Sequence, residues 1–223
     1  MSAPASQRTT VRRAANRGSY EAEHIYSILD EGLVAHVGIV QDGSPVVIPM
    51  AYARKGSQLL LHGSISSRLM KAIKSGTEVC VTVTLLDGLV LARSPFHHSM
   101  NYRSVVVIGH PQVITDAKEK DEALEALVEH LIPGRSADAV RANNKSELVS
   151  TIIAALRLDE ASAKVRTGPP NDDKPDYDLD VWAGELPLTQ VVGTPIADPK
   201  LKAGVAVPGY VAGYCRDGTQ DRQ

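Results

Sequence analysis

The residues best suited to do chemistry lie between Leu59 and Gly76, in the run LLLHGSISSRLMKAIKSG. An apolar strand there gives way, through His62-Gly63-Ser64, to a short cationic stretch. Gly63 lets the main chain lie close to a ligand, because no Cβ stands in the way. A helix capped by Ser64 or Ser66 would point its free N–H groups and the positive end of its dipole beyond the strand. On such a helix Ser64, Ser67, Arg68 and Lys71 fall at i, i+3, i+4 and i+7, so two hydroxyls and two cations share one face. Leu69, Met70 and Ile73 are left to pack. That face suits an anion, a phosphate above all. The same residues also describe an ordinary amphipathic helix with a solvated basic side, and the rest of the chain must decide between the two.

Few other residues compete for a chemical role. His97 and His98 are adjacent, and neighbouring positions on an extended chain point to opposite sides. No carboxylate or third histidine keeps a metal spacing with them, which favours loop capping over metal binding. Cys80 and Cys215 stand far apart with no Cys-x-x-Cys, and read as one buried small hydrophobe and one tail thiol. No Gly-x-Gly-x-x-Gly follows a strand, and no His-Glu-x-x-His or Ser-His-Asp arrangement occurs, so Rossmann and hydrolytic classes are excluded. The formal net charge of −2 supplies no field that would gather nucleic acid or anionic lipid. Arg12, Arg13 and Arg17 therefore read as a solvated basic arm. No apolar run reaches the ~18 residues of a membrane span, and MSAPASQRTTVRR lacks the apolar segment of a secretion signal. The expectation is a cytoplasmic protein with neither membrane nor nucleic-acid partner.

The elements that must position the cationic stretch are mostly short strands. A chain of 223 residues with 43% hydrophobic residues can bury a full core as one domain. Residues 1–17 read as an arm, disordered in isolation or laid across a neighbour, 18–200 as the domain, and 201–223 as an irregular tail. The spacing predicts a helix over about 20–31, then strands over 34–40, 45–53 and 58–62 with turn residues between them. Further strands follow at 78–86, 89–92 and 102–115, with Asp87-Gly88 read as a hairpin turn. Asp116 and Glu119 open a second helix, whose stripe Leu124, Leu127, Val128 and Leu131 has core spacing. Strands are predicted at 151–158 and 163–165, whereas 136–144 is ambiguous. The short connections demand antiparallel pairing. The fold class is mainly β with inserted helices, a barrel of antiparallel strands.

Taken in order, several segments share a pattern. They are His36-Val-Gly with Pro45-Val-Val-Ile-Pro-Met-Ala-Tyr52, Leu61-His-Gly-Ser64 with Ser67-Arg68, and Asp87-Gly-Leu-Val-Leu-Ala-Arg93. Ser99-Met-Asn-Tyr-Arg-Ser104, Lys164-Val-Arg-Thr-Gly-Pro-Pro170 and Trp182-Ala-Gly-Glu-Leu-Pro-Leu188 complete the set. The ordered set resembles the pyridoxamine 5′-phosphate oxidase-like family of FMN-binding split β-barrels, and within it the branch of nitroimidazole-resistance proteins and related flavin-binding proteins. The resemblance covers about residues 12–195. It implies a homodimer with FMN at its interface and an oxidoreductase acting on a small molecule, with NAD(P)H as an electron donor. By the same resemblance, main-chain groups of Val47, Ile48, Pro49, Met50 and Tyr52 would meet the polar edge of the isoalloxazine. His62, Gly63 and Ser64 would flank the ribityl chain and phosphate, and Ser67 and Arg68 would bind the phosphate itself. Tyr102, Arg103 and Ser104 would reach the flavin from the partner subunit or its edge, and Trp182 would lie near the ring. No residue is singled out as catalytic. The C-terminal arginine pattern that holds the substrate phosphate in the vitamin B6 oxidases is absent after Trp182, so that particular activity is not implied. Two alternatives stand beside the enzyme: a non-catalytic flavin-sensing or storage module, and a pocket for a deazaflavin or haem.

Overall fold

A computed structural model describes residues 3–138 and 140–215. Strand β1 (Gly18–Ser19) leads into helix α1 (Ala22–Glu31), which buries Ile25, Ile28 and Leu29 on one face. Next come β2 (Val34–Gln41), β3 (Ser44–Lys55) and β4 (Gln58–Ser64), then α2 (Arg68–Lys74). The remaining strands are β5 (Val79–Leu91), β6 (Ser99–Gly109), β7 (Gln112–Val113), β8 (Thr151–Arg157), β9 (Ala161–Arg166) and β10 (Gly184–Pro187). Helices α3 (Ala117–Leu131) and α4 (Lys145–Ser150) separate β7 from β8, and the short α5 (Gly209–Ala212) closes the described chain. Strand order is β1-β9-β6-β5-β2-β3-β4-β8-β7 with β10 beside β5, and every pairing is antiparallel.

This order makes a split β-barrel, and β3 is where it splits. From Ser44 to Ala51 β3 pairs with β2, and from Tyr52 to Lys55 it pairs with β4. The two halves of one long strand thus belong to two sheets, whose inner faces enclose the main core. Alternation fills that core. Ala35, Val37 and Ile39 of β2, Val79, Val81 and Val83 of β5, and Val105 and Val107 of β6 point inward, each 4% exposed or less. Leu59, Leu60 and Leu61 of β4 are all buried because both faces of that strand are covered. Leu59 and Leu61 join the main core, while Leu60 meets Ala123 and Leu127 in a second cluster under α3.

Several expectations change here. Asp87-Gly88 makes a bulge within one continuous strand, and the β5–β6 register shifts between Leu86 and Gly88. Glycine is needed there for close approach, since a Cβ on Gly88 would sit 3.0 Å from the Leu186 carbonyl oxygen of β10. Asp116 caps α3 by accepting from the Lys118 and Glu119 N–H groups. The buried side of α3 is narrower than its apolar stripe: Ala123 and Leu127 are buried, Leu124 is partly so, and Val128 is 40% exposed. Asn144, the last residue of the ambiguous stretch 136–144, forms a full capping box with Glu147 and starts α4 just beyond it. Cys80 is exposed, because alternation along β5 turns it away from buried Val79 and Val81. The arm docks on its own barrel: Thr9 is buried, Arg8 bridges Glu78 and Glu160, and the Val11 N–H donates to Tyr20 Oη at 2.8 Å.

Candidate functional site

Beyond the Tyr52–Leu61 pair, β3 turns to β2 while β4 continues beside β8. Among the described residues no strand pairs with the second edge of β3 from Ser44 to Ala51, or with the edge of His62, Gly63 and Ser64 that faces away from β8. Main-chain donors and acceptors on both edges are thus left for something other than the sheet. Gly63 is held close by α2, where an added Cβ would lie 3.0 Å from Met70 Cγ.

A cavity of about 540 Å³ opens between α2 and the β2–β3 turn. Ser66, Arg68, Lys71, Ser75 and Thr77 line one side, and Val40, Gln41 and Asp42 the other. Arg68 and Lys71 have no carboxylate partner among the described residues, whereas Arg8, Arg54, Arg93 and Arg103 are all ion-paired. The Gln41 Oε1 atom is buried without a hydrogen-bond partner among the described residues. Two cations without a carboxylate partner among the described residues and several hydroxyls around one cavity have the chemistry that suits an anion. The construction differs from the one expected. Ser64 ends β4 and its hydroxyl lies 2.8 Å from that of Ser66. The helix starts only at Arg68, and its N-cap, Ser67, makes no side-chain cap hydrogen bond. The cations come together with Ser66, not as a face shared with Ser64.

The other candidates divide by face. Along β3, Val47 and Pro49 are exposed on the outer face, while Ile48 and Met50 pack against the core. Tyr52 is fully buried, donates from Oη to the Leu29 carbonyl at 2.6 Å, and lies against the His130 ring at 4.9 Å. Its side chain belongs to the core and is not available to a ligand. Along β6, Ser104 faces outward with Val106, but Arg103 shares the inward side of buried Val105 and Val107. There it pairs with Glu31 at the end of α1 and with Asp87 in the bulge, which raise its already high pKa. These two ion pairs tie β6 to α1 and to the β5 bulge. The Ser104 hydroxyl donates to the Lys164 carbonyl at 3.2 Å, and Tyr102 is half-buried opposite Leu86. Trp182 is 68% exposed, with its indole edge over Gly184.

Two features were not legible beforehand. Arg166 is buried and donates to Asn101 and to the Gly168 and Pro169 carbonyls, while Asp172 accepts from Arg93 at 3.0 Å. These bonds fasten residues 167–176 beside the start of β6. His98 lies 2.9 Å from the Ser94 carbonyl, in keeping with loop capping, but the same fastening brings Asp173 within 3.4 Å of His97. The ligand atoms of His97, Asp173 and Asp176 lie within 4.8 Å of one another, a proximity that sequence spacing alone does not reveal.

His62 occupies the open edge of β4 with its Nδ1 buried and unpartnered. Burial lowers its pKa, so the ring is neutral near pH 7. With the folded value below the ordinary ~6.5, the unfolded chain binds more protons as pH falls through that range, and stability drops with it. His62→Gln is expected to remove this component. Urea midpoints of both proteins between pH 5 and 8 should diverge toward the acid end, and a constant difference would contradict the assignment.

The comparisons with known proteins agree with the architecture. The profile of the family described as pyridoxamine 5′-phosphate oxidase matches residues 21–165, and the chain belongs to that family. Two solved structures are similar over almost the whole chain. The flavocytochrome Anf3 from Azotobacter vinelandii shows 40% identity and a TM-score of 0.88, over 93% of this chain and 96% of that one. The FAD and heme binding protein from Mycobacterium smegmatis shows 38% identity and a TM-score of 0.86, over 90% of this chain and 98% of that one. A 5-nitroimidazole antibiotic resistance protein from Bacteroides thetaiotaomicron shares the fold, with a TM-score of 0.56 and 23% identity over 66% of this chain and 86% of that one. No curated protein matches this chain. No helix among the described residues is long and apolar enough to cross a membrane.

Proposed function

We propose that the chain is a flavin-binding redox protein that holds the nucleotide in the gap between β3 and β4, at the interface of a homodimer. One observation carries the reading: among the described residues the edges of β3 and β4 stay unpaired, and the cations of the cavity beside α2, Arg68 and Lys71, have no carboxylate partner. Arg68 and Lys71 would neutralise the phosphate, with Ser66 donating to it. The open edge of β3 from Val47 to Ala51 would hydrogen-bond the polar rim of the ring and stabilise negative charge gathered there on reduction, as an oxyanion site does. The bound flavin would supply hydride or single-electron chemistry, and the protein would orient it and set its electrostatics. The substrate is a small molecule reduced or oxidised at the exposed ring, with NAD(P)H as a candidate donor.

The cavity bears on which flavin is bound. It runs past Arg68 and Lys71 to Thr77, and Val40 and Ala72 give it apolar walls. A terminal phosphate needs no such extension, whereas an adenylate half would fill it. This favours FAD over FMN, in keeping with the FAD named for the Mycobacterium smegmatis relative. A second reading adds haem, because both near relatives are named for flavin or FAD together with cytochrome or haem. His62, a neutral imidazole with an unpartnered buried nitrogen, has the chemistry of an axial ligand.

The test is the colour of the purified protein and the identity of what heat releases from it. FAD with a flavin absorption band is expected, and released FMN would correct the choice of nucleotide. A Soret band that disappears in His62→Ala would establish the second reading. A colourless protein that takes up neither FAD nor FMN would overturn the proposal. Reduction by NADH or NADPH followed by reoxidation in stopped flow separates an enzyme from a storage or sensing module.

A further inference from the structure

Residues 188–207 leave the barrel and return to it without joining it. At the near end β10 pairs with β5, and the Leu188 N–H donates to the Asp87 carbonyl at 3.0 Å. At the far end Tyr210 Oη donates to Asp138 at 2.7 Å and accepts from Arg135 at 2.6 Å, and Tyr214 Oη donates to the Leu131 carbonyl at 2.8 Å. Between these anchors the only hydrogen bonds among the described residues are local turns at Asp198 and Lys202.

The composition of this span is wrong for a solvated linker. Its only charges are Asp198, Lys200 and Lys202, and aliphatic side chains recur along it. Val191 is 86% exposed and Ile196 is 96% exposed. Spans left in water are rich in charged and polar residues, because apolar surface there is unfavourable. Pro195 and Pro199 lack the N–H that a regular strand would donate, which keeps the span out of a sheet.

The same chain carries a matching uncovered surface. The outer faces of β2 and β3 expose Val34, Val40, Val47 and Pro49, with His36 as the polar residue among them, beside the open edge of the split. An apolar strap and an apolar ribbon on one chain, neither covering the other, are self-complementary across a two-fold axis. We infer that residues 188–207 form a strap that lies across the β2–β3 ribbon of a second copy of this chain, so that each flavin gap is closed by its partner's strap. This rests on the dimer proposed above and assigns the segment that completes its interface.

The test uses the full chain with a photo-crosslinking amino acid in place of Ile196. Unlabelled and ¹⁵N-labelled chains are co-assembled and the crosslinked peptides read by mass spectrometry, with sedimentation run in parallel. The expected result is a dimer with crosslinks joining light to heavy chains, from residue 196 to peptides within 34–55. A Val191→Asp/Ile196→Asp variant should remain folded, because both side chains are exposed, and should dimerise at least tenfold more weakly. A dimer crosslinked only within single chains, or to another region of the partner, overturns the strap and leaves the dimer standing. A monomer at micromolar concentration overturns both.

Discussion

Replacing Arg68 with glutamate is expected to empty the proposed flavin site while leaving the protein folded. Arg68 is exposed, opens α2 and has no carboxylate partner among the described residues, so no ion pair is lost with it. A glutamate at the first position of a helix is electrostatically welcome, so stability should stay level or rise slightly. On a bound phosphate the effect is opposite. Each charged hydrogen bond lost is worth ~1.5–3 kcal/mol, and the new carboxylate repels the phosphate as well. Flavin affinity should fall on the order of 100-fold or more, with a smaller loss for Lys71→Gln, which removes one cation without reversing it. Titration of apo-protein with FAD, followed by flavin fluorescence, measures both. Unchanged flavin content in Arg68→Glu would mean that the cavity beside α2 is not where the phosphate sits.

How much of this could be read from the sequence depends on range. Alternation in β2, β5 and β6 follows from side chains pointing to opposite faces of a strand and marks the core, while the short connections dictate the antiparallel pairing. The cationic pair Arg68 and Lys71 was legible for the same local reason, since i and i+3 meet on any helix. The helix start was not. Ser64, Ser66 and Ser67 are equally good caps by type, and β8, which pairs as far as Ser64, is what keeps the strand going. The Asp87-Gly88 turn failed similarly. The dipeptide is a good hairpin signal, but β10 arriving from Gly184–Pro187 holds the strand straight and turns the extra residue into a bulge.

Arg103 and Tyr52 show the limit more sharply. Both belong to segments that resemble flavin-contacting stretches, and both side chains face the core side of their strands. Glu31 and Asp87 lie 72 and 16 residues from Arg103, and no spacing rule joins them. The site's main-chain component is carried by strand edges left open by topology, which a sequence pattern locates only through the strand order. What the resemblance supplied was the set of segments. The structure shows which of their side chains face the core and which main-chain edges stay open among the described residues.

The largest effect on stability is expected from a residue with no side chain. Gly32 caps the C-terminus of α1 with its N–H on the Ile28 carbonyl, and its own carbonyl oxygen lies 2.8 Å from His130 Nε2. Its φ of −69° suits any residue, so backbone conformation does not require glycine. Space does. A Cβ at this position would lie 2.6 Å from Val83 Cγ1 and 2.7 Å from Tyr52 Oη, both fully packed side chains. Neither yields cheaply: Val83 is β-branched inside a paired strand, and Tyr52 is held by its bond to the Leu29 carbonyl and by the His130 ring. Gly32→Ala should therefore destabilise the protein by about 3 kcal/mol, the upper range for overpacking a core. Tyr52 stands where β3 changes partners, so its displacement should also loosen the gap and weaken flavin retention. Tyr52→Phe alone should cost about 1 kcal/mol for the lost hydrogen bond. Combined with Gly32→Ala it removes one of the two collisions, and the double variant should be less destabilised than the sum of the singles. Urea denaturation of the three variants measures this coupling. A Gly32→Ala midpoint matching the wild type would show that α1 can move off the barrel without disturbing the point where it splits.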